Sequence, residues 1–459
     1  MSDDILMDAD GDDYIDPVAE YHEHVSAAKR RFQKLQKRNK SLIGDFLGDA
    51  PRHKQAILFP FYFEGVFAWA VQRCIERGGW EVSGKLGYRE EDPHFSEVET
   101  GLSKKEKLVT NGQLFLTREK SKLVVTVDIS HRADALTIGV EGLARQKKGI
   151  ETFVNAVEKI AKEENFFRGQ KLNFCGTIEF LDIKPRAWDT VILSDEYKKE
   201  IRANTVEFLR EAKLWEELGV PTKRGLMLAG EPGTGKTIVC RAIMGEAEGI
   251  TCITTGAYAL GEREYISLLY TVAQELSPCI VLIEDVDLIG QVDSDYGGHR
   301  NPALVSLLDA MDGVEPRKEV VTVATTNCFA LLDKALSQRP SRFDRVIQFT
   351  VPNSAERGIL IDSLCQKIKL NEITKEYIAR HTAGFTPAQI QEVVFGLAIE
   401  YRRDIGIVEI QTGDMDRIIS RINVTKNKQF GFNHVGNVEG VNLRNQASQN
   451  EASAKEKKG

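Results

Sequence analysis

The stretch running from Arg224 through Gly-Leu-Met-Leu-Ala to GEPGTGKT, which occupies Gly230 to Thr237, decides how this chain is read. Its last eight residues match the phosphate-cradling pattern GxxxxGK[ST]. The apolar run before them is predicted to be a buried strand, and Ile238 to Met244 the start of a helix, which is the context such a loop requires. Gly230, Gly233 and Gly235 let the backbone turn its N–H groups inward. The positive end of the following helix adds to the attraction for phosphate. In that arrangement Lys236 reaches the β- and γ-phosphates and the Thr237 hydroxyl ligates Mg²⁺, while Glu231, Pro232, Thr234 and Ile238 complete the wrap around a nucleoside triphosphate.

Downstream, Cys279-Ile-Val-Leu-Ile-Glu-Asp-Val-Asp287 reads as an apolar strand that ends in acids. Phosphoryl transfer needs one carboxylate near the metal's hydration shell and another to orient the attacking water, so Glu284 and Asp285 are the candidates. A second apolar strand, Val320 to Thr326, leads into Asn327, whose amide is placed to sense the γ-phosphate or its water. Arg339 and Arg342 follow, three apart. Their guanidinium groups stay ionised and present a planar fork of donors suited to a developing phosphoryl charge.

A chain of 459 residues fits about two to three domains. Its formal net charge of −7 argues against a general attraction to nucleic acid or to an anionic membrane. The seven cysteines (Cys74, Cys175, Cys240, Cys252, Cys279, Cys328, Cys365) form no close pairs, which points to a reducing, cytoplasmic setting rather than a disulfide framework or a zinc site. No signal peptide is recognised at the acidic N-terminus.

Residues 1–16 hold seven aspartates and are predicted to be a mobile leader. Asp8, Asp10 and Asp12 have the spacing of a calcium loop, but Asp13 stands where its glycine belongs. Pro17 to Lys40 reads as a charged helix, basic in its second half. Ala56 to Val71 is the most apolar stretch, yet Pro60, Glu64 and its length make a buried core helix the better reading than a membrane span. Strands are expected at Gln113–Thr117, Lys122–Ile129, Ala135–Val140 and Lys171–Leu181, with a helix from Gln146 to Glu164. Residues 45–185 thus read as a small α+β domain for recognising a substrate or partner, behind the 1–44 leader and helix, with Pro185 as the seam.

From residue 186 the fold class is α/β: a P-loop parallel sheet over 186–354, then a helical lid over 355–424. Ser194 is expected to cap a helix running to about Leu218. The Asn-, Gln-, Ser- and Lys-rich 425–459 segment reads as a disordered tail.

Taken together, GEPGTGKT, the acid-ended strand, Thr325-Thr326-Asn327 and DKALSQRPSRFDR (333–345) resemble an AAA ATPase of the AAA+ superfamily over about residues 186–424. The resemblance implies ATP as the nucleotide and a ring, usually a hexamer, in which Arg339 and Arg342 reach the neighbouring subunit's ATP. It also implies that Gly384-Phe-Thr-Pro-Ala-Gln-Ile390, similar to the family's GFSGADL, opens a lid helix with Ala388 near the adenine. The Glu284-Asp285 order inverts the family's usual Asp-Glu, which by resemblance puts Glu284 at the metal position, and leaves open which acid is the base. That order resembles one branch, the mitochondrial chaperone that translocates the folded Rieske iron–sulfur protein and its soluble bacterial relatives. Threading members carry an aromatic in the loop after the second strand. Here Tyr258 sits one position early, and gripping a substrate and packing on its own loop remain alternatives.

The leading expectation is an ATP-driven ring that remodels, chaperones or translocates a protein client. An ATP-gated regulatory or structural ring with slow hydrolysis is the alternative. A nucleic-acid motor or loader ranks third, since no basic, aromatic-interleaved segment is seen.

Overall fold

The computed structural model describes residues 17–88, 91–129, 136–261, 263–290, 302–312, 318–329, 343–366, 368, 370–401 and 410–431. The acidic leader, residues 432–459 of the expected tail, Arg339 and Arg342 lie outside the described residues, whereas residues 425–431, expected to open that disordered tail, continue the last helix. The chain divides into two compact units, Met1–Arg168 and Gly169–Gly459.

The first unit is built on an antiparallel sheet. Its elements in order are α1 (Pro17–Leu47), β1 (Arg52–Phe59), α2 (Glu64–Arg77), β2 (Glu81–Leu86), β3 (His94–Gly101), β4 (Lys104–Arg118), β5 (Ser121–Asp128), β6 (Leu136–Leu143) and α3 (Lys147–Glu163). The strand order is β1-β6-β5-β4-β2, with β3 on the free end of β4. The five consecutive buried positions 112–116 of β4 show that both faces of this strand are covered. On one side, α2 and α3 pack against each other and turn Val66, Val71, Ile150, Phe153 and Val157 inward. On the other, Ile43 and Leu47 of α1 lie over Phe115, Val124 and Leu143.

The apolar run Ala56–Val71 is not one core helix. Its first part is strand β1, which pairs along its length with β6. Pro60 follows with φ −70° and no N–H to donate, a short 3-10 turn spans Phe61–Phe63, and α2 starts at Glu64. Alternating exposure at Ala56, Ile57, Leu58 and Phe59 marks the strand.

The second unit begins with β7 (Lys171–Phe174) and β8 (Ile178–Phe180), followed by three short helices, α4 (Asp195–Ala203), α5 (Val206–Arg210) and α6 (Ala212–Glu217). Alternating strands and helices follow: β9 (Lys223–Gly230), α7 (Lys236–Glu246), β10 (Thr251–Gly256), α8 (Arg263–Glu275), β11 (Cys279–Glu284), α9 (Pro302–Asp312), β12 (Val320–Thr326) and β13 (Arg345–Phe349). The sheet order is β13-β9-β12-β11-β10-β7-β8, parallel from β13 through β7. Ser194 caps α4 through its hydroxyl, which accepts from the Tyr197 amide, but the expected long helix is interrupted at Asn204-Thr205 and at Glu211.

The run Lys171–Leu181 belongs to this second sheet, not to the first domain. Leu172 and Phe174 are fully buried, and β7 pairs with β10. The Lys171 ammonium donates to the Ala247 and Ile250 carbonyls, and the Cys252 amide to the Gln170 carbonyl. These bonds lock the segment onto the parallel sheet ahead of the Pro185 seam.

Among the described residues four helices follow: α10 (Ser354–Leu364), α11 (Glu372–His381), α12 (Pro387–Tyr401) and α13 (Thr412–Gly431). Their core is built from Ile361, Ile378, Ile390, Val394, Leu397 and Ile418. Asn353 starts α10 with a reciprocal capping box to Glu356.

Candidate nucleotide site

In a parallel sheet all C-terminal strand ends open on one edge, and the order of this one sets three of them side by side. β12 lies between β9 and β11. The loop after β9, Asn327 after β12 and the acids ending β11 therefore meet, although nearly a hundred residues separate the first from Asn327.

The loop geometry follows from its glycines. A Cβ on Gly230 would lie 2.4 Å from the Phe349 carbonyl oxygen, so only glycine lets β9 and β13 approach this closely. Gly233 has φ +79° and Gly235 φ +106°, a conformation that side chains disfavour. Gly235 is the residue from which α7 starts, with its first amides directed at the loop. Thr234 closes the turn by donating its hydroxyl to the Glu231 carbonyl at 2.8 Å. Glu231, Pro232 and Gly233 are exposed, as is Thr237, while Ile238 is half-buried against the sheet's core.

Lys236 is only 6 % exposed and donates to the Gly230 and Glu231 carbonyls at 2.6 and 2.9 Å. Burial lowers its ammonium pKa, and the charges of Asp285 and Asp287 oppose that shift. The lysine therefore lies within electrostatic reach of the acid-ended strand.

The two adjacent acids have different surroundings. Glu284, the last residue of β11, is pushed above the ordinary carboxyl range by burial first and by the neighbouring Asp285 charge second, with Arg241 opposing. Asp285 takes φ +52°, and its amide donates to the Thr325 hydroxyl at 3.0 Å. Its carboxylate accepts from Asn327 Nδ2 at 2.8 Å. Asn327 is itself anchored, because its backbone amide donates to Asp287 Oδ1 at 3.0 Å.

Asp287 and Thr325 were not singled out from the sequence. The signal was present in the repeated acid of Glu-Asp-Val-Asp, since the residue two positions beyond Asp285 is 5 % exposed and needs a donor. The helices after β13 reach the same loop. The Ala388 amide donates to the Gly233 carbonyl at 3.2 Å, and a Cβ on Gly233 would lie 2.8 Å from that of Ala388. Ala388 thus touches the phosphate loop. Tyr258, in the short turn after β10, is 95 % exposed and does not pack on its own loop, which settles that alternative.

Comparison with known proteins agrees with this geometry. Residues 226–351 match the family model of the ATPase family associated with various cellular activities (AAA). Over 233 residues the chain is 33 % identical to ATP-dependent zinc metalloprotease FtsH 3 of Sphaerobacter thermophilus, covering 49 % of this chain and 47 % of that one. It is 31 % identical over 244 residues to the proteasome-activating nucleotidase of Saccharolobus solfataricus, covering 51 % and 62 %. A further relative is the ATP-dependent zinc metalloprotease YME1 homolog of Schistosoma mansoni, 35 % identical over 214 residues, covering 45 % and 32 %. The alignments span less than two thirds of each relative's own length. Among the described residues no helix is long and apolar enough to cross a membrane.

Proposed function

We propose that this chain, which carries an AAA ATPase domain, hydrolyses ATP and uses the energy to remodel, chaperone or translocate a protein client as a ring, in the first instance a hexamer. The observation that carries the reading is the convergence of the phosphate loop, the Asp285–Asn327 pair and Ala388 on one strand-end site.

The residues fit an anionic nucleotide with its metal. The left-handed glycines and the start of α7 form a cradle of backbone donors, and Lys236 can exchange its two carbonyl partners for phosphate oxygens. Thr237 and Glu284 would hold Mg²⁺, which when bound neutralises charge on the phosphate oxygens. Asp285, oriented by Asn327, is the better placed of the two acids to align a water and take its proton. Arg339 and Arg342 would come from the adjacent protomer, so that hydrolysis requires assembly. Ala388 would move with the lid helix as the bound phosphate changes.

A protein client is supported by the names of the relatives, which describe proteases and a proteasome-activating nucleotidase. Tyr258 is exposed enough to grip such a client, and the first unit is assigned to choosing it. The order Glu284-Asp285 supports kinship with the Rieske-translocating branch, and the free thiols support a cytoplasmic setting. The shorter arm at the water position favours a second reading, a ring in which ATP chiefly sets assembly and turnover is slow. Turnover measured with and without candidate clients separates the two. For the shared site, Arg339→Ala should retain ATP affinity while turnover falls about 10²-fold or more. Hydrolysis at the parent rate would overturn it.

A further inference from the structure

We propose that the acidic leader, residues 1–16, docks on the outward basic face of α1 and covers it within the same chain. Between Lys29 and Lys40 the helix carries seven cations, and from His24 to Gly44 it has no Asp or Glu. All seven are exposed, and the ion pairs found among the described residues involve none of them. The helix is held from its opposite side. Leu35, Asn39, Ile43 and Leu47 are buried, Asn39 Nδ2 donates to the Gly87 carbonyl at 2.8 Å, and Ile43 and Leu47 join the sheet's core. At about 100° per residue the buried positions fall on one stripe, Arg30, Arg31, Lys34, Lys37 and Arg38 on the arc facing away from it, and Lys29 and Lys40 along its edge. Packing thus fixes the helix without using its charge.

Like charges crowded on three turns of helix repel one another and favour a polyanion over scattered counterions. The chain supplies one next door. Residues 1–16 hold seven aspartates and no lysine or arginine, matching the seven cations. Their reach also fits. Lys34 lies roughly 26 Å along the helix from Pro17 at 1.5 Å per residue, and about eight residues of extended chain at 3.3 Å span the same length. A leader that turns back at the helix start therefore brings Asp8 and Asp10 alongside Lys34 and Lys37. Tethering raises its effective concentration to about millimolar, so pairs that are weak one at a time act together, and an external anion must displace the leader to reach this face.

Zero-length carbodiimide coupling of the full chain, in an equal mixture of ¹⁴N- and ¹⁵N-labelled protein at low ionic strength, tests the contact by mass spectrometry of joined peptides. Leader aspartates should couple to Lys29, Lys34, Lys37 or Lys40 within one isotope label, and the products should vanish near about 0.5 M salt, where screening is short-ranged. The exposed Lys375–Asp362 pair, 3.1 Å apart, serves as the control for reagent activity. Control coupling with no leader–helix product, or with mixed-label products at the roughly one-half share that random pairing between chains gives, overturns the proposal. Separately, the combined change Asp8→Asn, Asp10→Asn, Asp12→Asn and Asp13→Asn should tighten binding of fluorescent polyglutamate to the chain about tenfold at low salt. Unchanged affinity would mean that the face is uncovered in the parent.

Discussion

The two sheets of this chain carry comparable numbers of strands but arrange their ends differently, and that difference places the chemistry. In the antiparallel sheet of the first unit neighbouring strands end on opposite edges, so no edge collects successive loops. In the parallel run β13-β9-β12-β11-β10-β7 every C-terminal end opens on the same edge. The phosphate loop, Asn327 and the paired acids share that edge because β12 lies between β9 and β11. Substitutions there should alter turnover and binding, whereas substitutions in the antiparallel core should alter stability.

The largest effect is expected from Asp285→Asn, which keeps the hydrogen-bonding shape but cannot take a proton. ATP should still bind, and steady-state turnover should fall about 10³-fold. A variant hydrolysing at near the parent rate would move the base to Glu284. Next, Lys236→Ala removes the buried ammonium, and titration calorimetry should show ATP affinity at least about 100-fold weaker, in line with the loss of charge-assisted bonds. The contrast sharpens at Leu116, fully buried in β4, where Leu116→Ala should cost about 2–5 kcal/mol in urea unfolding of the first unit with turnover changed less than about twofold. A comparable loss of turnover would show that the antiparallel unit bears directly on the chemistry.

The smallest effect concerns Glu284. Its carboxyl pKa is raised in the fold, so its contribution is most favourable below the ordinary carboxylate range and is lost as pH rises through the raised value. Glu284→Gln should therefore melt higher than the parent at neutral pH, and the gap should close as pH is lowered below that range. A gap independent of pH would locate the effect in packing rather than charge.

Much of the second unit is legible from local pattern. Glycines at 230, 233 and 235 have conformational or steric reasons that a spacing rule captures, and the strands at 279–284 and 320–326 are uniformly apolar, as buried parallel strands must be. The errors arose where local and tertiary signals compete. Ala56–Val71 is apolar enough for a helix, but half of it is needed as a partner for β6, and Pro60 divides the two roles. Lys171–Leu181 alternates like any strand, and nothing in its own residues says which sheet it joins.

What the sequence determined alone is the presence of a phosphate loop, an acid-ended strand and a polar amide, because each depends on residues within one turn or one strand of each other. Which of them meet was decided by strand order. That Asp285 rather than Glu284 is held by Asn327, that Asp287 anchors the asparagine, and that Ala388 rests on Gly233 all depend on contacts between segments remote in the chain. Hydrogen bonds of 3 Å constrain atoms that spacing along the sequence does not bring together.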